Sequence, residues 1–463
     1  MIPRWLLACA VCVPISACDD DENGDETSTG GRAGAPSTGG RPSTGGRPST
    51  GGRPSSGGTS PGAGGPGDAG AAPGGAPSVS TCSFPARAEL EANVPEGFCA
   101  FTFATGIAKP RGILVDSEGT VLVAGNGSIV ALWDDDGDGV SSDGERATLA
   151  SASGLNHGIA VHDGYLYASS SSTVYRWSYA ADRAPLGDPS VVIRGVPSGG
   201  HSTRTLVFDD DYLYVSVGSG SNVDPNPSRS GIFRFPIADL DGEIPFADGE
   251  IFALGLRNEV GLRFDSSGRL WGVENGRDDL SRADLGGDIH ENNPAEELNR
   301  FDEPGRFYGY PYCFSEYSLP DEVGDGEGAQ WADPTTISDG THSDDWCKDP
   351  AQVVPPVLAM QAHSAPLDLL FYPGGSFPSS YTGDLFVTFH GSWNRTVATG
   401  YKVMHIPIVD GEPAGDPTPV LESAGPEDDD WPHRPVALAV LPNGTLLITS
   451  DESNSVLALG YAQ

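Results

Sequence analysis

Positive charge is scarce in this sequence. It has 26 Lys and Arg against 64 Asp and Glu, a formal net charge of −38. A chain this acidic repels phosphate backbones, which argues against nucleic acid as a partner. Calcium, neutral sugars and a positively charged redox partner remain compatible with it. Long apolar runs are lacking too, apart from Trp5 to Ile15 near the start. That run is too short to span a bilayer as a helix. No C-x-x-C-H occurs, so the chain carries no c-type haem attachment of its own. Helix periodicity is scarce from Cys82 onward, which leaves strands as the building material.

The apolar run follows a single arginine and reads as an export signal over residues 1–17. Its end, Ile15-Ser16-Ala17-Cys18, looks like the lipobox of a bacterial lipoprotein. Cys18 would then be the lipidated N-terminus, with the protein exported and anchored to a bacterial membrane. Ordinary signal cleavage nearby is the alternative. Residues 18–79 contain GGRPSTGGRPSTGGRPSSGG, a six-residue period that can bury no core. This stretch is expected to be a disordered tether. Residues 80–463 form the folded domain. Of seven cysteines, Cys9 and Cys12 fall in the signal and Cys18 in the lipobox. Cys82, Cys99, Cys313 and Cys347 remain, an even number suited to two disulfides in an exported protein. Proximity favours Cys82–Cys99 and Cys313–Cys347, although four cysteines allow three pairings.

Six segments share one pattern: a polar start, an apolar strand, a turn and a second apolar strand. KPRGILVDSEGTVLVAG and HRPVALAVLPNGTLLITSD are the first and last of them. Units this small cannot bury their own faces, so the pattern predicts an all-β, six-bladed β-propeller with loop insertions. The extra length over 278–357 is expected to be insertion on one face, stapled by Cys313 and Cys347. Each repeat opens on charged or hydrogen-bonding residues: Arg111; Asn156 and His157; His201 and Arg204; Arg257 and Asn258; His363; His433 and Arg434. Innermost strands line a propeller's channel, so these residues converge at one mouth. Arginines gathered there repel one another unless an anion sits among them, or unless each pairs with a local Asp or Glu.

Residues 134–145, DDDGDGVSSDGE, fit an EF-hand calcium loop at every position. Asp134, Asp136 and Asp138 stand at positions one, three and five. Gly139 is the turn glycine, Val140 offers its carbonyl, Ser142 is ninth and Glu145 twelfth. Strand-like flanks place this loop within a blade, where a calcium ion would brace structure.

The segments GHSTRTLVFDDDYLYVSVGS, GLRNEVGLRF, VENGRDDL, FHGSWNR and HRPVALAV, in this order, resemble the PQQ-dependent sugar dehydrogenases. The similarity is to the pyranose and L-sorbosone dehydrogenases, and more distantly to soluble glucose dehydrogenases. It implies pyrroloquinoline quinone (PQQ) bound against a calcium ion at the channel mouth. It implies His201 as general base, with Arg204 beside it. Arg257, Asn258, Trp393, Arg395 and Arg434 would contact PQQ, with Arg111 and His363 lining the same mouth. Asn275, Gly276 and Arg277 would supply the cofactor calcium, partly through carbonyls, although soluble glucose enzymes have Gly-Pro there. The implied reaction oxidises an aldose or related sugar at C1 and passes electrons to a separate acceptor. A calcium-dependent lactonase-type propeller and a non-catalytic binding propeller are the alternatives. Mostly Arg and His in the channel count against the first.

Overall fold

The computed structural model describes Cys82 and residues 89–462. The expected signal, Cys18 and nearly all of the tether lie outside the described residues. No helix of the described residues is long and apolar enough to cross a membrane.

Six sheets of four or five strands form the blades, antiparallel except for the outermost strands Ile244–Pro245 and Arg306–Phe307. Their inner strands are Gly112–Val115, Leu155–His162, Leu206–Phe208, Glu259–Phe264, Pro366–Phe371 and Pro435–Val440. The next strand outward is buried along nearly its whole length in every blade. Val121–Gly125, Leu270–Glu274, Leu385–Phe389 and Leu446–Ser450 are buried at every residue. These strands are covered on both faces, and so read as apolar runs rather than alternations. The core therefore lies between blades. Phe101, Phe103, Val121, Val260, Leu367 and Val436 form one such cluster. Each fully buried side chain of this size stabilises the fold by about 1.5–3 kcal/mol.

Hydroxyls tie neighbouring blades. Ser169 Oγ donates to Arg204 O, Thr388 Oγ1 to Val436 O and Thr449 Oγ1 to Arg111 O, each at 2.7 Å. In each case a second strand holds the inner strand of the next blade. The ring closes where Phe98–Thr105 pairs with Ser455–Tyr461. The sixth repeat lacks a fourth strand of its own, and the N-terminal FCAFTFAT supplies it. Both expected disulfides are present, Cys82–Cys99 and Cys313–Cys347.

One expectation needs correction. Residues 278–357 are not a single insertion, because Glu296–Phe301 is the third strand of blade four. The part after it climbs the outer strand of blade three through Arg306–Phe307. It then returns to the earlier part, where Ala295 N donates to Ser315 O and Arg277 pairs with Asp333.

Blade four also holds a row of like charges. Glu259 lies opposite Glu274, and Glu274 opposite Glu297, across three strands. They are 3%, 5% and 8% exposed. Asn299 Nδ2 lies 3.3, 3.4 and 3.3 Å from Glu259, Glu274 and Glu297. No cation pairs with any of the three among the described residues. Burial raises all three carboxyls, Glu297 to about 7. A carboxyl raised on folding contributes stability that is whole below its unfolded pKa, near 4.5, and is lost as pH climbs through 7. Glu297→Gln should therefore stabilise the protein at pH 8, by up to about 3 kcal/mol, with little effect at pH 5. Thermal unfolding at the two pH values checks this, and destabilisation at pH 8 would contradict it.

Candidate active site

Strand direction alternates along each blade, so all six inner strands start at the same end of the channel. The residues singled out at those starts gather there, and their partners differ from blade to blade.

At blade three, His201 Nδ1 lies 2.9 Å from Ser219 Oγ, and His201 N donates to Ser219 O at 3.0 Å. Burial, then the charges of Arg257, Arg204 and Arg229, hold its pKa well below the usual histidine value. Gly218 makes the close packing possible: a Cβ there would sit 2.5 Å from His201 Cβ and 2.7 Å from Asn258 Oδ1.

Arg204 corrects an expectation. It is 0% exposed, and its guanidinium donates to the carbonyls of Pro197, His201 and Thr203. Burial lowers its pKa to about 9. It holds the His201 loop from beneath and does not project into the mouth.

Arg257 is likewise spent within the protein. It pairs with Asp278 at 3.0 Å and donates to Gly276 O at 2.7 Å, Asn275 O at 3.3 Å and Asn222 O at 3.0 Å. It clamps the 275–278 turn and has no donor left for an outside carboxylate. The carbonyls of Asn275 and Gly276, expected to face a metal, each accept from Arg257 and keep one further lone pair. Arg277 turns away and pairs with Asp333 at 2.7 Å. Asn258 Nδ2 donates to Asn275 Oδ1 at 3.0 Å, which fixes the same turn.

Asp278 links this turn to the 391–400 loop. Its Oδ1 accepts from Asn394 Nδ2 at 2.8 Å and lies 3.8 Å from His363 Nδ1. His363 is 6% exposed, adopts φ +62° and presents Nε2 to the carbonyls of His290 and Asn293. Arg395 donates to Ala362 O and lies 4.0 Å from Glu291, on the rim. Trp393 is 66% exposed, an unusual state for an indole beside a polar cleft.

On the opposite side, Arg111 pairs with Asp451 at 2.8 Å, and His390 Nε2 meets the same carboxylate at 2.9 Å. Burial alone would raise Asp451, but His390, Arg111 and Arg434 hold it below the usual range. Arg434 donates to His390 O and Gly391 O and lies 5.2 Å from the Tyr401 ring centroid. It has no carboxylate in ion-pair reach among the described residues. His157 is buried, with its pKa pushed down to about 3 by burial and by Arg111. Burial lowers His433 to about 4, and its Nδ1 meets Ser453 Oγ at 2.7 Å.

The ring of cations is thus partly neutralised from within. Arg111, Arg257 and Arg434 face Asp278 and Asp451, three positive charges against two. Among the described residues, Arg111 Nε, Asn156 Oδ1, His157 Nδ1, Asn394 Oδ1 and the deeper Arg204 Nε are buried with no hydrogen-bond partner. Sequence reasoning missed Ser219, Asp278, Asn394, His390 and Asp451. All five stand inside quoted motifs, but nothing in one sequence distinguishes them from turn and loop residues.

The acidic loop lies away from this mouth, between Ser128–Leu132 and Arg146–Ser151 of blade one. Carboxylate oxygens of Asp134, Asp136 and Asp138 come within 4.8 Å of one another. Glu145 does not join them. It accepts from the N–H groups of Asp135, Asp136 and Ser142 and from Ser142 Oγ. Val140 N donates to Asp138 Oδ1. Burial, with Asp138 and Glu145 nearby, raises Asp134 despite its hydrogen bonds from Gly139 and Gly137.

A family model described as TrAA12-like matches residues 92–462. A pyrroloquinoline quinone-dependent pyranose dehydrogenase of Coprinopsis cinerea is 31% identical over 349 residues, 71% of this chain and 46% of that protein. The chain therefore spans about half the length of that curated relative. A pyrroloquinoline quinone-dependent sugar dehydrogenase of Hypocrea jecorina is 32% identical over 389 residues, 77% of this chain and 86% of the relative. Among solved structures, a calcium form of a Trichoderma reesei family AA12 carbohydrate-active enzyme is 29% identical with a TM-score of 0.72, covering 82% of this chain and 98% of that one. The holo form of the pyranose dehydrogenase PQQ domain from Coprinopsis cinerea is 28% identical with a TM-score of 0.70, covering 80% and 97%. A family match running from the first described strand to the last places the chain: it belongs to the TrAA12-like family.

Proposed function

We propose that this chain is a PQQ- and calcium-dependent sugar dehydrogenase that oxidises a pyranose at C1. The observation that carries the proposal is the mouth itself. Arg111 and Arg434 leave a surplus of positive charge around a mouth that also carries His201, whose pKa burial and nearby arginines lower. These residues fit a planar tricarboxylate, because guanidinium groups bind carboxylates through paired N–H donors. When bound, PQQ supplies a quinone able to accept a hydride, polarised by the calcium beside it.

The chain's own residues divide the remaining work. Arg111 and Arg434 hold carboxylates, and Asn258 and the carbonyls of Asn275 and Gly276 face the metal side. Arg257, through Asp278, keeps that turn in place. His201 takes the proton from the sugar's C1 hydroxyl at Nε2. Trp393 offers an apolar face to a sugar ring at the rim. Asp134, Asp136 and Asp138 hold a second calcium, which braces blade one and takes no part in chemistry. Electrons leave to a separate acceptor, a cytochrome or a quinone, and a lipid on Cys18 holds the enzyme at a membrane.

Titrating the calcium-loaded protein with PQQ, then following dye reduction with a panel of pyranoses, tests this reading. His201→Ala should bind PQQ as the parent does and lose turnover by about 10²–10⁴-fold. Unchanged turnover would remove His201 from the base role. Asp136→Ala should abolish most of the rise in Tm that calcium gives the PQQ-free protein. At a hundredfold excess over Kd that rise corresponds to about 3 kcal/mol. A calcium-dependent Tm untouched by Asp136→Ala would place the bracing ion elsewhere.

A further inference from the structure

We infer that Ser219 is the positioning residue that fixes His201 in a single tautomer, with the proton on Nδ1 and Nε2 left as an acceptor. The catalytic consequence rests on the reading of His201 as the base, but the tautomer does not.

The argument counts protons. Ser219 is fully buried, and its Oγ has two close partners, Ser221 O at 2.7 Å and His201 Nδ1 at 2.9 Å. A carbonyl can only accept, so the single hydroxyl proton goes to Ser221 O. The remaining contact then needs a donor, and only Nδ1–H can provide it. The Tyr310 hydroxyl also touches Ser219. It accepts from Asp224 N, and its own proton has the carbonyls of Asn222 and Ser221 at 3.2 and 3.3 Å. It leaves the Ser219–Ser221 bond, the shorter one, in place.

The charges around the ring exclude a second proton. The charges of Arg257, Arg204 and Arg229 all act on it, and no carboxylate lies within ion-pair reach of His201 among the described residues. A carboxylate at Nδ1 would fix the same tautomer but would also favour the imidazolium. A serine orients the ring without adding charge. Nε2 has no protein partner among the described residues, so its lone pair is the ring's only free acceptor.

The backbone makes this arrangement stiff. His201 N donates to Ser219 O at 3.0 Å, and Ser219 N donates to Arg257 O at 2.8 Å. Ser219 thus joins the His201 loop to the start of blade four. Second partners that orient a functional imidazole in this way are worth about 10–100-fold in activity.

The test begins with the unaltered protein. ¹⁵N-histidine NMR of the PQQ-free chain, with His201 assigned by His201→Gln, reads the tautomer without reference to turnover. The expected result is a neutral ring protonated on Nδ1. Ser219→Ala should give a mixture containing Nε2–H, with kcat lowered about 10–100-fold and PQQ affinity unchanged. Ser219→Thr, which keeps the hydroxyl, should restore the Nδ1–H signature. A wild-type His201 protonated on Nε2, or on both nitrogens at neutral pH, overturns the inference and removes Nε2 as the proton acceptor, whereas an Nδ1-protonated ring with turnover unchanged in His201→Ala overturns the base assignment alone. A tautomer that shifts in Ser219→Ala without loss of turnover supports the inference and overturns the base assignment.

Discussion

The site depends on ring closure. The pairing of Phe98–Thr105 with Ser455–Tyr461 completes blade six from the far end of the sequence. Without it the first and last inner strands would not be held side by side, and Arg111 could not reach Asp451, 340 positions away. Closure also sets direction. Six inner strands enter from one rim, and the polar residues at their starts converge without any local signal that they should.

Convergence creates an electrostatic difficulty that the protein resolves in two ways. Arg257 is discharged internally, by Asp278 and by carbonyls, and becomes a structural clamp. Arg204 is buried beneath His201 and faces only carbonyl dipoles. Arg434 has no carboxylate in ion-pair reach among the described residues, and Arg111 shares Asp451 with His390. The positive potential left over is thus concentrated on one side of the mouth, opposite the turn that carries Asn275 and Gly276. That polarity matches a ligand with carboxylates at one end and a metal-binding edge at the other. Burial and the nearby charges of Arg257, Arg204 and Arg229 lower the pKa of His201.

Much of the fold was legible because blade physics is local. Paired apolar strands joined by Gly, Asp and Asn turns repeat six times, and each needs a neighbour to cover it. The two disulfides followed from proximity. What escaped notice was non-local. The 278–357 stretch hid Glu296–Phe301 because EELNRF carries two buried glutamates and does not read as a core strand. FCAFTFAT alternates plainly, yet its partner lies at the other end of the chain. Candidate residues at strand starts were found, but their pairing was not. Nothing in single-chain spacing says that Arg257 points to Asp278 while Arg434 does not. Ser219 and Asn394 stand inside GHSTRTLVFDDDYLYVSVGS and FHGSWNR, yet their roles become visible only as partners of His201 and Asp278.

The central claim is that the uncompensated positive side of this mouth exists to hold a carboxylated quinone. Equilibrium binding of PQQ to the calcium-loaded protein, compared with Arg434→Gln, tests it most directly. One saturable site is expected, weakened about 10–100-fold by the loss of one charge-assisted pair. Absence of binding, or equal affinity in the two proteins, would contradict the account.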